Sequence, residues 1–337
     1  MKFFITGENG FIAKNLTSTL ESRTHTQVKV IGTGFGASLL RVEDQLHHYD
    51  LREPCVHLNS PERWARFFID NGVNIVIHNA ALVGTDVVAL KPKEAVLTNI
   101  LGTHNIVRAC EIAKIPICYI GTSVVYKTEN YQVKIIDEHA EILPKTMYGI
   151  QKSAGDLIVK RATVPWMIIR PLFAYGGLGD MNSLIAKSLY ASWTGRKNID
   201  MFLDPTKVKD YIHVTDFCEA VILACENKHW NEDFIVAAET PRRTEEIVEI
   251  IDKHCDVNNL ASSLIKWYPN TDYLGNHRLT SAKFRRVTGW LPRISLEVGI
   301  EESAQSIKHS ISLHESYDPL IHLDEARQKS IDLTKFY

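Results

Sequence analysis

The apolar and polar positions divide the chain into short, wholly apolar runs separated by longer amphipathic stretches. Phe3–Ile5, Val28–Ile31, Ile75–Ile77, Ile117–Ile120 and Trp166–Ile169 are such runs, and each gives way to a turn-forming or polar residue. Short runs that are apolar on both faces predict strands buried in a sheet covered on both sides. Between them, Ala95–Lys114 places Val96, Ile100, Thr103, Val107 and Cys110 at helical spacing. Strands alternating with helices predict an α/β fold built on a doubly wound parallel sheet. After Pro171 the rhythm loosens. Gly176-Gly177-Leu178-Gly179 reads as a loop, Ser183–Trp193 and Phe217–Asn227 as helices, and Asp210–Val214 and Phe234–Ala237 as strands. Beyond about Leu313 the chain is polar and unpatterned, and no internal repeat appears.

Composition narrows the class. The chain has 337 residues, 45% hydrophobic and 23% charged, as in globular proteins. That is enough for one large α/β unit or two modest domains. A net charge of −2 with no basic stripe argues against nucleic acid as a partner. No apolar run has the length of a membrane span. Met1-Lys2 leads into Phe3-Phe4-Ile5 rather than into a signal peptide, so the expectation is a cytoplasmic protein without a membrane partner. The six cysteines (Cys55, Cys110, Cys118, Cys218, Cys225, Cys255) form no CxxC pair, which fits reduced thiols. His47-His48 has no third ligand at metal-binding spacing, and no metal site is expected.

The first candidate chemistry lies in Thr6-Gly7-Glu8-Asn9-Gly10-Phe11-Ile12-Ala13. Gly7 suits a tight turn, and Gly10 lets the backbone approach a pyrophosphate. The helix starting at Phe11-Ile12 would present free N–H groups to that anion. The pattern is looser than GxGxxG, yet its place between a strand and a helix points to a dinucleotide. The acid that would grip the adenine ribose is missing after Val28–Ile31, where Gly32-Thr33-Gly34 follows, and Arg41 lies in the next loop. The cofactor is therefore NAD or NADP. Asp50-Leu51 is a candidate for the adenine edge, or a plain turn.

The second candidate is Tyr148-Gly149-Ile150-Gln151-Lys152, with a phenol and an ammonium at i and i+4 on one helix face. A nearby Lys and a positive nicotinamide favour the phenolate, so the Tyr can exchange a proton with a hydroxyl while hydride moves at the same carbon. Thr122, after the strand Ile117–Ile120, stands at the carboxyl end of a strand, where open α/β sheets bind ligands. His78-Asn79-Ala80-Ala81 follows Ile75–Ile77, and the small Ala80 and Ala81 let a cofactor pass close.

Taken in order, Thr6–Ala13, His78–Ala81, Thr98–Thr103 (with Asn99), Thr122–Tyr126, Tyr148–Lys152, Arg170-Pro171 with Tyr175-Gly176, Asp210–Val214, and Leu279–Lys283 with Gly289–Pro292 resemble the extended short-chain dehydrogenase/reductase family of NAD-dependent epimerase/dehydratases. The resemblance spans roughly residues 1–305. It implies a Rossmann domain over residues 1–171 with returning segments near 210–237, and a smaller, discontinuous substrate domain within 172–337. It also implies a nucleotide-diphosphate sugar as substrate, Thr122, Tyr148 and Lys152 as the catalytic set, Asn99 on the cofactor side, and a homodimer through the helices around Ala95–Lys114 and Tyr148–Arg161.

The departures select among the family's reactions. Dehydratases carry Thr-Asp-Glu where this chain has Thr122-Ser123-Val124, and 3,5-epimerase/4-reductases carry a Cys at Val124. Both chemistries are disfavoured, leaving Ser123 as a substrate-side neighbour. Reversible hydride transfer at C4 remains. The first reading is a 4-epimerase; an NADPH-dependent 4-ketoreductase and a non-catalytic dinucleotide-binding subunit are the alternatives. Phe173 stands where the family's diphosphate-contacting Asn is usual, and Lys209 replaces an Arg, keeping the charge but losing the bidentate fork. Lys209 and Arg278 are the candidate phosphate contacts, and Thr85 and Asp86 the candidate sugar contacts.

Overall fold

The computed structural model describes residues 1–23, 29–33, 40–42, 45–47, 60–128, 134–177, 179–180, 183–196, 198–255, 260–269 and 274–312. Its centre is a six-stranded parallel sheet of β1 (Lys2–Thr6), β2 (Lys29–Thr33), β3 (Ile75–His78), β4 (Ile117–Ile120), β5 (Trp166–Arg170) and β6 (Glu232–Ile235). The order across the sheet is β6-β5-β4-β3-β1-β2. The chain runs from β1 outward to β2, crosses back to β3, and continues outward on the other side. That reversal beside β1 opens a crevice at the carboxyl ends of β1 and β3.

Successive side chains of a strand face opposite sides, and β1 shows the consequence. Phe3 and Ile5 pack into a cluster with Leu16, Leu20, Phe217 and Val221, from α1 (Phe11–Ser22) and a later helix, Val214–Glu226. Phe4 faces the other way, onto Trp64, Phe67 and Phe68 of α2 (Pro61–Asp70) and onto Ile106 and Cys110. Helices cover both faces at β1, and every residue of β3 and β4 is buried. Full burial of a large apolar side chain stabilises the fold by about 1.5–3 kcal/mol, and β1 alone buries Phe3, Phe4 and Ile5 completely.

The helices that follow α2 include α3 (Thr85–Leu90), α4 (residues 92–113), α5 (Met147–Lys160), α6 (Leu184–Thr194) and α7 (Val214–Glu226). The helix predicted over Ala95–Lys114 begins earlier, at Pro92. In α4, Pro92–Val96 and Thr103–Ala113 are α-helical and the intervening Leu97–Gly102 is a π turn. Lys114 ends it in the left-handed region, φ 57°. A third apolar cluster, with Leu184, Ile185, Leu189, Ile247, Ile251 and Ile300, lies away from the sheet and joins α6 to the C-terminal helices.

Two further predicted elements shift. Of Asp210–Val214 only Ile212–His213 pairs, in parallel with Ala174–Tyr175, and Val214 already starts α7. The strand predicted at Phe234–Ala237 is paired over Glu232–Ile235, against Met167–Arg170. In both places an apolar run crosses the boundary between two kinds of structure, and apolarity alone does not mark where backbone pairing stops. Among the described residues no helix is long and apolar enough to cross a membrane.

Candidate active site

The β1–α1 turn has the features of an anion cradle. Gly7 holds φ at +76°, and a Cβ there would sit 2.9 Å from the Ala80 Cα. Only glycine therefore lets the turn lie against the end of β3. Gly10 N–H closes the turn on Gly7 O at 2.8 Å and is the N-cap of α1, whose first turn carries no side-chain cap and no acid. The positive end of the helix is left for an external anion. Phe11 and Ile12 pack partly into the core, which fixes that end, and Asn9 is exposed. These features fit a dinucleotide pyrophosphate. Asp50 and Leu51 lie outside the described residues.

Beneath the cradle runs a buried hydrogen-bond chain. The Thr6 hydroxyl accepts from the N–H groups of Asn79 and Ala80, both at 3.0 Å. Its proton therefore goes to His78 Nδ1, 2.7 Å away. That leaves His78 Nε2 as the donor to Thr103 Oγ1 at 3.0 Å, and Thr103 donates onward to Asn99 O at 2.8 Å. Burial, with Lys152 nearby, pushes the His78 pKa down to about 3, so the ring stays neutral. The Asn99 amide clamps the Leu82 backbone, accepting from its N–H at 2.8 Å and donating to its C=O at 3.0 Å, and also donates to Gln151. The side chain of Asn99 thus shapes the wall after Ala80 and Ala81, which are themselves half-buried.

The phenol and lysine are placed by α5. Thr146 caps it, accepting from Gly149 N–H at 3.1 Å. Gly149 lets the helix start press on its neighbours, since a Cβ there would meet Pro144 Cβ at 2.9 Å and Val124 O at 3.1 Å. That contact sets Tyr148 beside the turn Ser123–Val125 capped by Thr122, close enough for the Thr122 hydroxyl to favour the phenolate. Lys152 is buried, donates to Ile120 O at 2.8 Å, and lies 4.0 Å over the Tyr119 ring. Thr122, Tyr148 and Lys152 therefore converge at the end of β4.

Electrostatics differ from the sequence expectation in one respect. Burial raises the Tyr148 pKa above its ordinary value, and the neighbouring Thr122 hydroxyl offsets only part of this. The Lys152 ammonium is committed to Ile120 O, and burial lowers its own pKa to about 7, against an opposing pull from Asp156. Charge on the lysine alone does not make the phenolate the resting form.

The other predicted site residues fall in several places. Ser123 is fully buried and its hydroxyl donates inward, to Arg170 O at 3.4 Å, rather than towards substrate. Thr85 begins α3 half-buried. Asp86 is buried, accepting from Val87 N–H at 2.9 Å with Lys187 Nζ 4.0 Å away. Phe173 adopts φ +43°, a costly conformation for an aromatic residue, and stacks on Tyr211 at 5.0 Å. Lys209 is buried, donates to Gly275 O at 2.6 Å, and lies 5.9 Å from the Phe173 ring centroid. Arg278 is exposed and is not joined to Lys209, because neighbouring residues of an extended segment point to opposite sides. It is the preceding His277 that is buried beside Lys209, its pKa pushed down to about 3 by burial and by that charge. Sequence reading passed over His277, and also Asp156, although Asp156 stands one helical turn beyond Lys152.

Comparison with known proteins adds a family. The description "NAD dependent epimerase/dehydratase family" matches residues 3–237. A GDP-6-deoxy-D-talose 4-dehydrogenase from Aggregatibacter actinomycetemcomitans is 29% identical over 227 residues, 66% of this chain and 69% of the relative. Among solved structures, dTDP-glucose 4,6-dehydratase from Bacillus anthracis in complex with NAD superposes with TM-score 0.76 at 19% identity, covering 93% of this chain and 98% of the other. UDP-glucose 4-epimerase from Thermotoga maritima with UDP-glucose gives TM-score 0.76 at 20% identity, covering 92% and 100%.

Proposed function

The chain belongs to the NAD dependent epimerase/dehydratase family, a class of NAD(P)-dependent enzymes of nucleotide-sugar metabolism, and on that premise we propose that it is a 4-epimerase acting on a nucleotide-diphosphate hexose. The observation that carries this reading is the gathering of Thr122, Tyr148 and the buried Lys152 at the end of β4, with a buried Ser123 and an apolar Val124 beside Thr122. Neither neighbour offers the acid or base that elimination or inversion next to a carbonyl requires. What the trio does offer is proton exchange with one hydroxyl.

Gly7, Gly10 and the first N–H groups of Phe11 and Ile12 hold the dinucleotide, with Ala80 and Ala81 lining its path and Asn99 fixing the backbone beyond them. NAD or NADP bound there would supply the hydride acceptor for C4 and, in its oxidised form, a positive charge that favours the Tyr148 phenolate. Tyr148 takes the proton of the 4-hydroxyl, Thr122 orients that oxygen, and Lys152 stabilises the charge that develops on the phenol. Arg278, which is exposed, and Lys209, whose buried ammonium is held on Gly275 O, are the candidate positive charges for the diphosphate. Thr85 and Asp86 meet the sugar. In this reading residues 1–171 with the segments near 210–237 form the cofactor domain, the rest of 172–337 binds substrate, and α4 and α5 join two copies into a homodimer.

A second reading is a 4-ketoreductase, favoured by the relative named as a 4-dehydrogenase. The first test is to denature the purified protein and identify the released nucleotides by mass spectrometry. Retained NAD is expected of an epimerase, which recycles its cofactor in place; an empty site that binds added NADPH would select the reductase. Tyr148→Phe should lower kcat by roughly 10²–10⁴-fold, and equal turnover in variant and parent on sugar nucleotides would remove both readings.

A further inference from the structure

Building on that catalytic reading, we infer that Asp156 is a positioning residue for the catalytic lysine, supplying the buried negative charge that keeps Lys152 an ammonium ion at neutral pH. Asp156 lies one turn beyond Lys152 on α5, on the same face, and both are 2% exposed. It heads a charge chain that runs outward to solvent. Arg170 Nε and Nη2 both donate to Asp156 Oδ2, at 3.0 and 2.8 Å. Arg170 Nη1 donates to Asp233 Oδ2 at 2.8 Å and to the Tyr126 hydroxyl at 3.1 Å. Lys160 closes the outer end on Asp233 at 2.9 Å, with Lys283 beside it.

Two features separate this arrangement from an ordinary buried ion pair. First, a pair built for geometry alone would engage both carboxylate oxygens in a fork. Here both guanidinium bonds go to Oδ2, and Oδ1 is buried without a hydrogen-bond partner among the described residues. Oδ1 lies against Gly121, where an added Cβ would stand 3.4 Å from it. Gly121 separates Ile120, whose carbonyl receives Lys152, from Thr122. Second, Arg170 is completely buried between two carboxylates. Asp233 is also met by Lys160 and Lys283, while Arg170 is the one ion-pair partner of Asp156 among the described residues. What is left open at the inner end is the unbonded Oδ1, on a carboxyl whose pKa burial raises against the opposing pull of Arg170 and Lys152. The other titratable groups around that amine are Tyr119 beneath it, Tyr148 one turn back and His78. All three favour their uncharged forms, so Asp156 is the source of negative charge among them. Burial pulls the lysine pKa to about 7 while Asp156 opposes that pull.

The test uses the full-length protein with NAD bound, carrying ¹³Cε-labelled lysine, with the Lys152 resonance assigned by its loss in Lys152→Met. Asp156→Asn should lower the Lys152 titration midpoint by about one pH unit, and Asp156→Glu should restore it. The alkaline limb of kcat/KM should move to lower pH in the same order. Where Asp156→Asn does not fold, Asp233→Asn leaves Arg170 to neutralise Asp156 and should shift the midpoint the same way. A uniform loss of activity or stability with the Lys152 midpoint unmoved would overturn the inference, since a structural ion pair predicts that result. Tyr148→Phe separates the two levels. Unchanged turnover there sinks the catalytic reading, while the lysine titration still judges Asp156.

Discussion

Gly7 and Phe173 show how single backbone angles shape the site. Both hold φ in the left-handed region, at +76° and +43°. For Gly7 the angle costs nothing and the missing Cβ matters more, because it admits Ala80 within contact of the turn. Gly7→Ala adds a strained φ, worth about 1–2 kcal/mol, to a backbone clash. The expected result is a lower melting temperature together with weakened binding of NAD and NADPH, read by thermal denaturation and titration calorimetry. Parent-like dinucleotide affinity in the variant would mean that this turn is not the cradle. Phe173 makes the opposite trade, accepting strain to keep its ring stacked on Tyr211 near Lys209.

At the scale of elements, α4 and α5 pack side by side and present an outer face that no described part of the chain covers. Leu157 is 67% exposed, Met147 54% and Ile150 45%, with Leu101 and Ile112 on α4 also exposed. An apolar face of this kind on two adjacent helices is the surface on which the proposed homodimer forms. Leu157→Glu places a charge there without touching the buried side of α5. Sedimentation should then show dimer in the parent and monomer in the variant at micromolar concentration. A monomeric parent would refute the dimer outright. The π turn Leu97–Gly102 belongs to the same scale. It carries Asn99, whose side chain bridges the Leu82 loop and Gln151 of α5, so one irregular turn ties the segment after Ala81 to the helix of Tyr148 and Lys152.

For the whole molecule, burial of neutral histidines sets the response to acid. His78 and His277 each have a pKa pushed down to about 3, chiefly by burial, against an unfolded value of about 6.5. Between those values the unfolded chain binds a proton that the folded chain refuses. Stability therefore falls as pH drops through that window, by up to about 1.4 kcal/mol per pH unit for each histidine. Urea denaturation between pH 7 and 4 should show this slope, and His78→Asn should flatten it by one proton's share. Identical slopes in variant and parent would show that His78 is not held neutral by the fold.

Much of this protein is legible in its sequence, and the reason is periodicity. Buried parallel strands must be apolar on both faces, so the five leading strands stand out as runs. Turn and helix-start residues such as Gly7 and Gly10, and the i, i+4 pair Tyr148 and Lys152, are local patterns that the sequence spells directly. What local pattern cannot convey is which distant residues share a space. The inward turn of Ser123, the exchange of Arg278 for His277 beside Lys209, the clamp of Asn99 on Leu82, and the pairing of Asp156 with Arg170 all depend on contacts between segments well separated in the chain. The ends of Ile212–His213 and of β6 depend on where pairing partners stop. Those were decided by the tertiary structure, because burial and electrostatic balance are properties of packed neighbours rather than of the chain's own order.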